Sequence, residues 1–115
     1  MKQITEPKGL SDQEKIMLMK CKSVIKKLDP SSEVILYGSR ARGDAEQESD
    51  YDLLILTDKE VDLEREDMFR RQLFPIEIET GAVLTVFLIS KKEWDSPIYN
   101  EMPFYKNVKS DGISL

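Results

Sequence analysis

Two aspartates, Asp50 and Asp52, stand at the head of an apolar run, and the stretch Gly38-Ser39-Arg40-Ala41-Arg42-Gly43 closes another run just upstream. On a strand, residues two apart project from one face, so the two carboxylates would lie side by side. Like charges held together repel unless a cation sits between them. Hard carboxylate oxygens suit Mg²⁺, which keeps some waters and completes its shell with substrate phosphates. A metal there would polarise a phosphate and hold a leaving pyrophosphate. Gly38 and Ser39 supply the other half. A glycine lets the backbone approach a phosphate closely, and the serine brings a hydroxyl and an N–H. If a helix starts there, its first amides add positive potential. Arg40 and Arg42 carry planar, two-pronged donors matched to phosphate oxygens.

Each part alone also fits something plainer. An Asp-x-Asp at a strand boundary is commonly a solvated turn, Gly-Ser is a common loop pair, and Arg-x-Arg is commonly a charged surface. The order carries the reading: apolar strand, Gly-Ser-Arg-Ala-Arg-Gly, a ten-residue return over 40–49, Ser49-Asp50-Tyr51-Asp52, then a second apolar strand. That return brings a phosphate site and a metal site into one cleft.

The elements that must position these groups are legible from periodicity. Residues 1–10 read as a loose lead-in, with Pro7 and Gly9 discouraging regular structure. Ser11-Asp12-Gln13-Glu14 fits a capping box. Met17, Cys21, Val24, Ile25 and Leu28 then recur at helical spacing until Asp29-Pro30 stops the helix. Val34-Ile35-Leu36-Tyr37 and Tyr51 to Leu56 read as strands covered on both faces. A turn and a short helix fit between them. Residues 61–79 predict an amphipathic helix carrying Val61, Met68, Phe69, Leu73 and Ile76, which Pro75 should kink or end early. The acidic run 58–67 reads as its solvated side. Val83 to Ile89 is the most strand-like segment. Ser90-Lys91-Lys92-Glu93 opens a short helix with Trp94, and a last helix over Asn100 to Asp111 ends at Gly112. Trp94, Phe104 and Tyr105 read as anchors of this tail rather than a partner-binding face. The layering is α/β, one domain over 11–115, with strand order and direction left open by these patterns.

Composition narrows the chemistry. The 115 residues suit one domain, and 40% hydrophobic with 34% charged residues suits a folded one. With no histidine, catalytic triads, histidine bases and histidine-ligated zinc are excluded. The single cysteine, Cys21, makes no internal disulfide and reads as a small buried hydrophobe. A net charge of −5 disfavours extended nucleic-acid binding. No apolar leader or membrane-length run is present, so a cytoplasmic location is expected.

Gly38-Ser39-Arg40-Ala41-Arg42-Gly43-Asp44-Ala45 and Ser49-Asp50-Tyr51-Asp52-Leu53-Leu54-Ile55 resemble the signature of the minimal nucleotidyltransferases of the DNA polymerase beta superfamily. The motif covers residues 34–56, and the element order extends the likeness over roughly 11–112. The resemblance implies a small polymerase beta-like fold, α-β-α-β-α-β, with a mixed sheet flanked by helices. It implies Mg²⁺-dependent transfer of a nucleoside monophosphate from ATP or another NTP to a hydroxyl. Gly38, Ser39, Arg40 and Arg42 would hold the phosphates, and Asp50 and Asp52 the metal. It further implies a protein partner, either a small helical HEPN-type companion of a toxin–antitoxin module or a homodimer mate.

The chain departs from that pattern at one position. The family has a third acid on the next strand, where it helps bind metal and can deprotonate the attacking hydroxyl. Here the only polar residue of that strand is Thr85, which leaves Glu77 or Glu79, at the end of the preceding helix, as the acids to reach the site. A threonine is no general base near neutral pH. The departure sets a second reading beside the transferase: a catalytically weak nucleotide-binding or antitoxin-like module of the same fold. A third reading takes the Gly-Ser-Arg loop as an anion site in an unrelated α/β protein.

Overall fold

A computed structural model describes residues 1–5 and 9–115. Helix α1 (Asp12–Leu28) opens with the expected capping box: Ser11 Oγ accepts from the Glu14 amide, and Glu14 returns the bond to Ser11 N. Asp29 caps its end. Strand β2 (Glu33–Tyr37) follows, then the four-residue helix α2 (Ser39–Arg42), β3 (Tyr51–Thr57), α3 (Leu63–Thr80) and β4 (Leu84–Ser90). The expected α/β layering is present, with a mixed sheet between helices.

The sheet holds more strands than periodicity signals. Two-residue strands β1 (Lys2–Gln3) and β5 (Ile113–Ser114) complete the order β1-β5-β2-β3-β4. The lead-in expected at residues 1–10 is therefore tied down at its start, where β1 pairs in parallel with β5. Pro7, one of the residues read as discouraging regular structure there, lies outside the described residues. β3 is antiparallel to β2 and parallel to β4, so the end of β2 and the starts of β3 and β4 meet at one end of the sheet.

Alternation along these strands separates two cores. Val34, Leu36, Leu53, Ile55, Val86 and Leu88 face α1 and α3, burying Leu18, Cys21, Ile25, Phe69 and Leu73. Ile35, Leu54, Leu56 and Ile89 face the opposite way, onto Trp94, Val108, Tyr99, Phe104 and Tyr105. β3 has a covered layer on either side, which explains its uninterrupted apolar run. Cys21 is fully buried, and burial pushes its thiol up to about 12.

Two expectations are corrected. α3 neither starts at Val61 nor stops at Pro75; it runs to Thr80 with Pro75 inside. Pro75 and Arg71 are both exposed, so the missing amide falls on the solvent side of the helix. The short helix expected at Trp94 is present as α4 (Lys91–Trp94), but the last helix starts later, as α6 (Pro103–Asp111), and an unexpected α5 (Pro97–Asn100) precedes it. Pro97 and Pro103 each start a helix, the position proline prefers. Gly112 ends α6 because a Cβ there would lie 2.5 Å from the Val108 carbonyl oxygen. Tyr99, Phe104 and Tyr105 each set their rings against Trp94, as expected of anchors holding this tail.

Side chains of α3 also finish the free edge of β4. Glu77 accepts from Leu84 N at 2.9 Å, Arg70 donates to Val86 O at 3.3 Å, and Glu66 accepts from Leu88 N at 3.3 Å. This edge has little left to offer another strand.

At the sheet end away from the Asp-x-Asp motif, the fully buried Asp29 carboxylate joins three elements. It accepts from Ser31 N at 3.0 Å, Ser31 Oγ at 2.6 Å, Thr57 Oγ1, and Arg65 Nη2 at 3.2 Å. Burial alone would raise its pKa, but bonds from the Ser31 and Thr57 hydroxyls and the Ser31 amide, with Arg65 beside them, hold it below the ordinary aspartate range. A lowered folded pKa contributes stability that is present above the unfolded value and lost as pH falls through the folded one. Asp29→Ala is expected to cost about 3 kcal/mol, since removing one partner strands buried donors. Denaturant melts from pH 7 into the acid range check both points. The variant should begin less stable and lose less stability as pH falls.

Candidate active site

The site lies where β2 ends and β3 and β4 begin. Gly38 ends β2 with φ 77° and ψ −159°, a conformation essentially confined to glycine. Its missing side chain also matters for space. A Cβ at Gly38 would lie 2.3 Å from Asp52 Oδ2, so the glycine leaves the hollow that the carboxylate occupies. Gly38→Ala should therefore both strain the backbone and displace Asp52. We expect a loss of about 1–3 kcal/mol from the backbone alone. Thermal melts with and without Mg²⁺ check this, because the variant should also lose any stabilisation by metal.

Asp52 is the second residue of β3 and pairs with Tyr37 of β2 and Thr85 of β4. Thr85 Oγ1 donates to Asp52 Oδ1 at 2.5 Å. The third position of the motif is thus beside Asp52, as the resemblance implies, and a hydroxyl fills it. Asp50 is exposed one residue before β3, so the return loop rather than the sheet sets its place. Tyr37 was not singled out from sequence. Its phenol is pushed up to about 12 by burial and by the nearby charges of Asp52 and Glu66, so it stays a neutral neighbour of Asp52. A residue that ends one strand opposite a functional residue of the next is the signal that could have found it.

Glu77 and Glu79 do not join the aspartates. Glu77 is bonded to Leu84 N, and Glu79 pairs with Lys20 of α1 at 2.8 Å, on the α1–α3 side. Among the described residues, no group of three or more histidines, cysteines, aspartates or glutamates is placed to hold a metal. The two aspartates fit Mg²⁺ by the chemistry of their donors. Both are hard carboxylates at the open end of the sheet, and Mg²⁺ takes one or two such ligands, with water and substrate phosphate for the rest.

The basic residues divide. Arg42 is about half exposed and makes one surface pair, Nε to Asp44 Oδ2 at 3.2 Å. Arg40 is largely buried and occupied with protein acceptors: Nε and Nη2 reach Ser49 O at 3.2 and 2.9 Å, and Nη2 reaches Gln47 O at 2.9 Å. Ser39 begins α2 directly after Gly38. Gly38 and Asp52 are thus brought together, with Ser39 next in the chain; Asp50 lies in the loop before β3, Arg42 pairs with Asp44, and Arg40 turns into the return loop.

No described helix is long and apolar enough to cross a membrane. No curated protein matches the sequence. A family model described as the nucleotidyltransferase domain matches residues 18–110, most of the chain, and spans both halves of the site. A glycine cradle for an aspartate at the sheet end, inside a match of that extent, places the chain in the nucleotidyltransferase domain family, as its resemblance to the minimal nucleotidyltransferases implies.

Proposed function

We propose that this nucleotidyltransferase domain moves a nucleoside monophosphate from ATP to a hydroxyl acceptor with Mg²⁺. The observation that carries the reading is the packing of Asp52 into the hollow at Gly38, beside Thr85. Asp50 and Asp52 would hold the metal, which when bound withdraws charge from the α-phosphate and the leaving pyrophosphate. The Ser39 hydroxyl and amide and the Arg42 guanidinium would hold the outer phosphates. The acceptor oxygen forms a bond to the α-phosphorus as the bond to the bridging oxygen breaks, and pyrophosphate leaves. The hydroxyl proton passes to water, because Thr85 cannot take it.

We assign the acceptor to a small helical HEPN-type partner or a homodimer mate, in the cytoplasm, on the resemblance to the minimal nucleotidyltransferases. Thr85 at the third position also favours a second reading, a nucleotide-binding partner module with weak catalysis. Under either reading binding rests on the triphosphate. Calorimetry should show ATP binding in Mg²⁺, little in EDTA, and adenosine far weaker in both. Equal affinity for ATP in Mg²⁺ and EDTA would contradict both readings.

A further inference from the structure

We propose that Arg40 is the positioning residue for Asp50: it acts by clamping the return loop, not by reaching the phosphates. The inference rests on the transferase reading of the site, and it assigns Arg40 a place within it.

Three observations converge. The guanidinium donates twice to Ser49 O and once to Gln47 O, so it grips the peptide that joins Ser49 to Asp50. Its carbon lies 4.3 Å from the centre of the Tyr51 ring. Tyr51 belongs to the α1–α3 core, whereas Asp52, the next residue of β3, bonds Thr85 on the other face. The arginine head therefore sits behind the sheet end that carries the carboxylates.

The clamp has its own support. Arg40 Nη1 lies 3.6 Å from Glu14 Oε2, and the Tyr51 hydroxyl donates to the same oxygen at 2.7 Å. Glu14 Oε1 meanwhile accepts from Ser11 N in the capping box of α1. Burial alone would raise the Glu14 pKa, but bonds from Ser11 and Tyr51, with Arg40 nearby, keep it below the ordinary glutamate range. One rigid helix end thus holds a glutamate, the glutamate orients an arginine and a tyrosine, and the arginine fixes the loop that delivers Asp50. Outer partners of this kind set the geometry of metal ligands. Only arginine presents a fork able to grip two carbonyls and stack on a ring.

The test separates a clamp from a phosphate ligand by using each probe alone. Mn²⁺ is titrated without nucleotide and followed by electron paramagnetic resonance, and tripolyphosphate is titrated without metal. Arg40→Lys keeps the charge and loses the fork. It should weaken Mn²⁺ binding by ~10–100-fold, the usual cost of a lost outer-shell partner. It should speed amide hydrogen exchange over residues 43–50, with melting temperature and tripolyphosphate affinity nearly unchanged. Arg42→Gln should do the reverse, weakening tripolyphosphate and sparing Mn²⁺. Glu14→Gln, one step further back, should give the same loop exchange and a smaller loss of Mn²⁺; it serves if Arg40→Lys does not fold. Weakened tripolyphosphate with intact Mn²⁺ binding in Arg40→Lys would overturn the clamp and leave the transferase reading standing. Failure of the unaltered protein to take up either probe would overturn both.

Discussion

Asp50→Asn, Asp52→Asn together are expected to abolish metal-dependent ATP binding while leaving the fold intact. An amide oxygen lacks the charge that makes a carboxylate a ligand for a hard cation. The loss should exceed the ~10–100-fold that follows from removing an outer-shell partner, because here the ligands themselves are removed. The fold should survive because an asparagine at position 52 still accepts from the Thr85 hydroxyl and still fits the hollow at Gly38. Removing two negative charges from one end of the sheet of an acidic protein should leave the melting temperature in EDTA unchanged or raised. Calorimetry in Mg²⁺ and a melt in EDTA check the two halves. A variant that binds ATP as the unaltered protein does would remove the aspartates from the site.

Thr85→Asp carries the second large effect, and its sign depends on metal. The present hydroxyl donates to Asp52 Oδ1 across the parallel β3–β4 pair. An aspartate there replaces a donor with a like charge, so stability in EDTA should fall. Added Mg²⁺ should restore it, because three carboxylates bind a cation better than two. The new acid also stands where an attacking hydroxyl would need a base. General-base assistance typically contributes ~10²–10⁴-fold, so nucleotidyl transfer should rise within that range from a weak starting value. Melts with and without Mg²⁺, run beside a transfer assay, check both. Equal destabilisation in both conditions with unchanged transfer would show that position 85 is structural.

These effects trace to residues that were readable to different degrees. The place of Thr85 beside Asp52 was legible only through the resemblance, which puts a third acid on the next strand, because periodicity leaves strand order and register open. Gly38 was legible because its neighbours demanded a close approach of backbone to ligand, although the space it clears is filled by Asp52 itself. β1 and β5 were not legible, since two residues carry no periodicity and the pairing is made only when Ile113 and Ser114 reach β2. The course of α3 past Pro75 depends on exposure on that side, which sequence spacing does not report. Arg40 shows the sharpest limit. Residue type marks it as a phosphate donor, whereas in the structure its guanidinium donates to the carbonyls of Gln47 and Ser49. The path of the loop, which spacing does not report, brings these carbonyls to it.

The central claim is that the domain transfers a nucleotidyl group, and the fate of two labels tests it most directly. ATP labelled at the α-phosphate and ATP labelled at the γ-phosphate are each incubated with the protein, Mg²⁺ and the proteins that co-purify with it. Label should reach a protein acceptor from the α-position only, with pyrophosphate released, and should be lost in EDTA and in the doubly substituted Asp50→Asn, Asp52→Asn protein. Label arriving from the γ-position, or α-label transfer that persists without Mg²⁺ or without the two aspartates, would contradict the account.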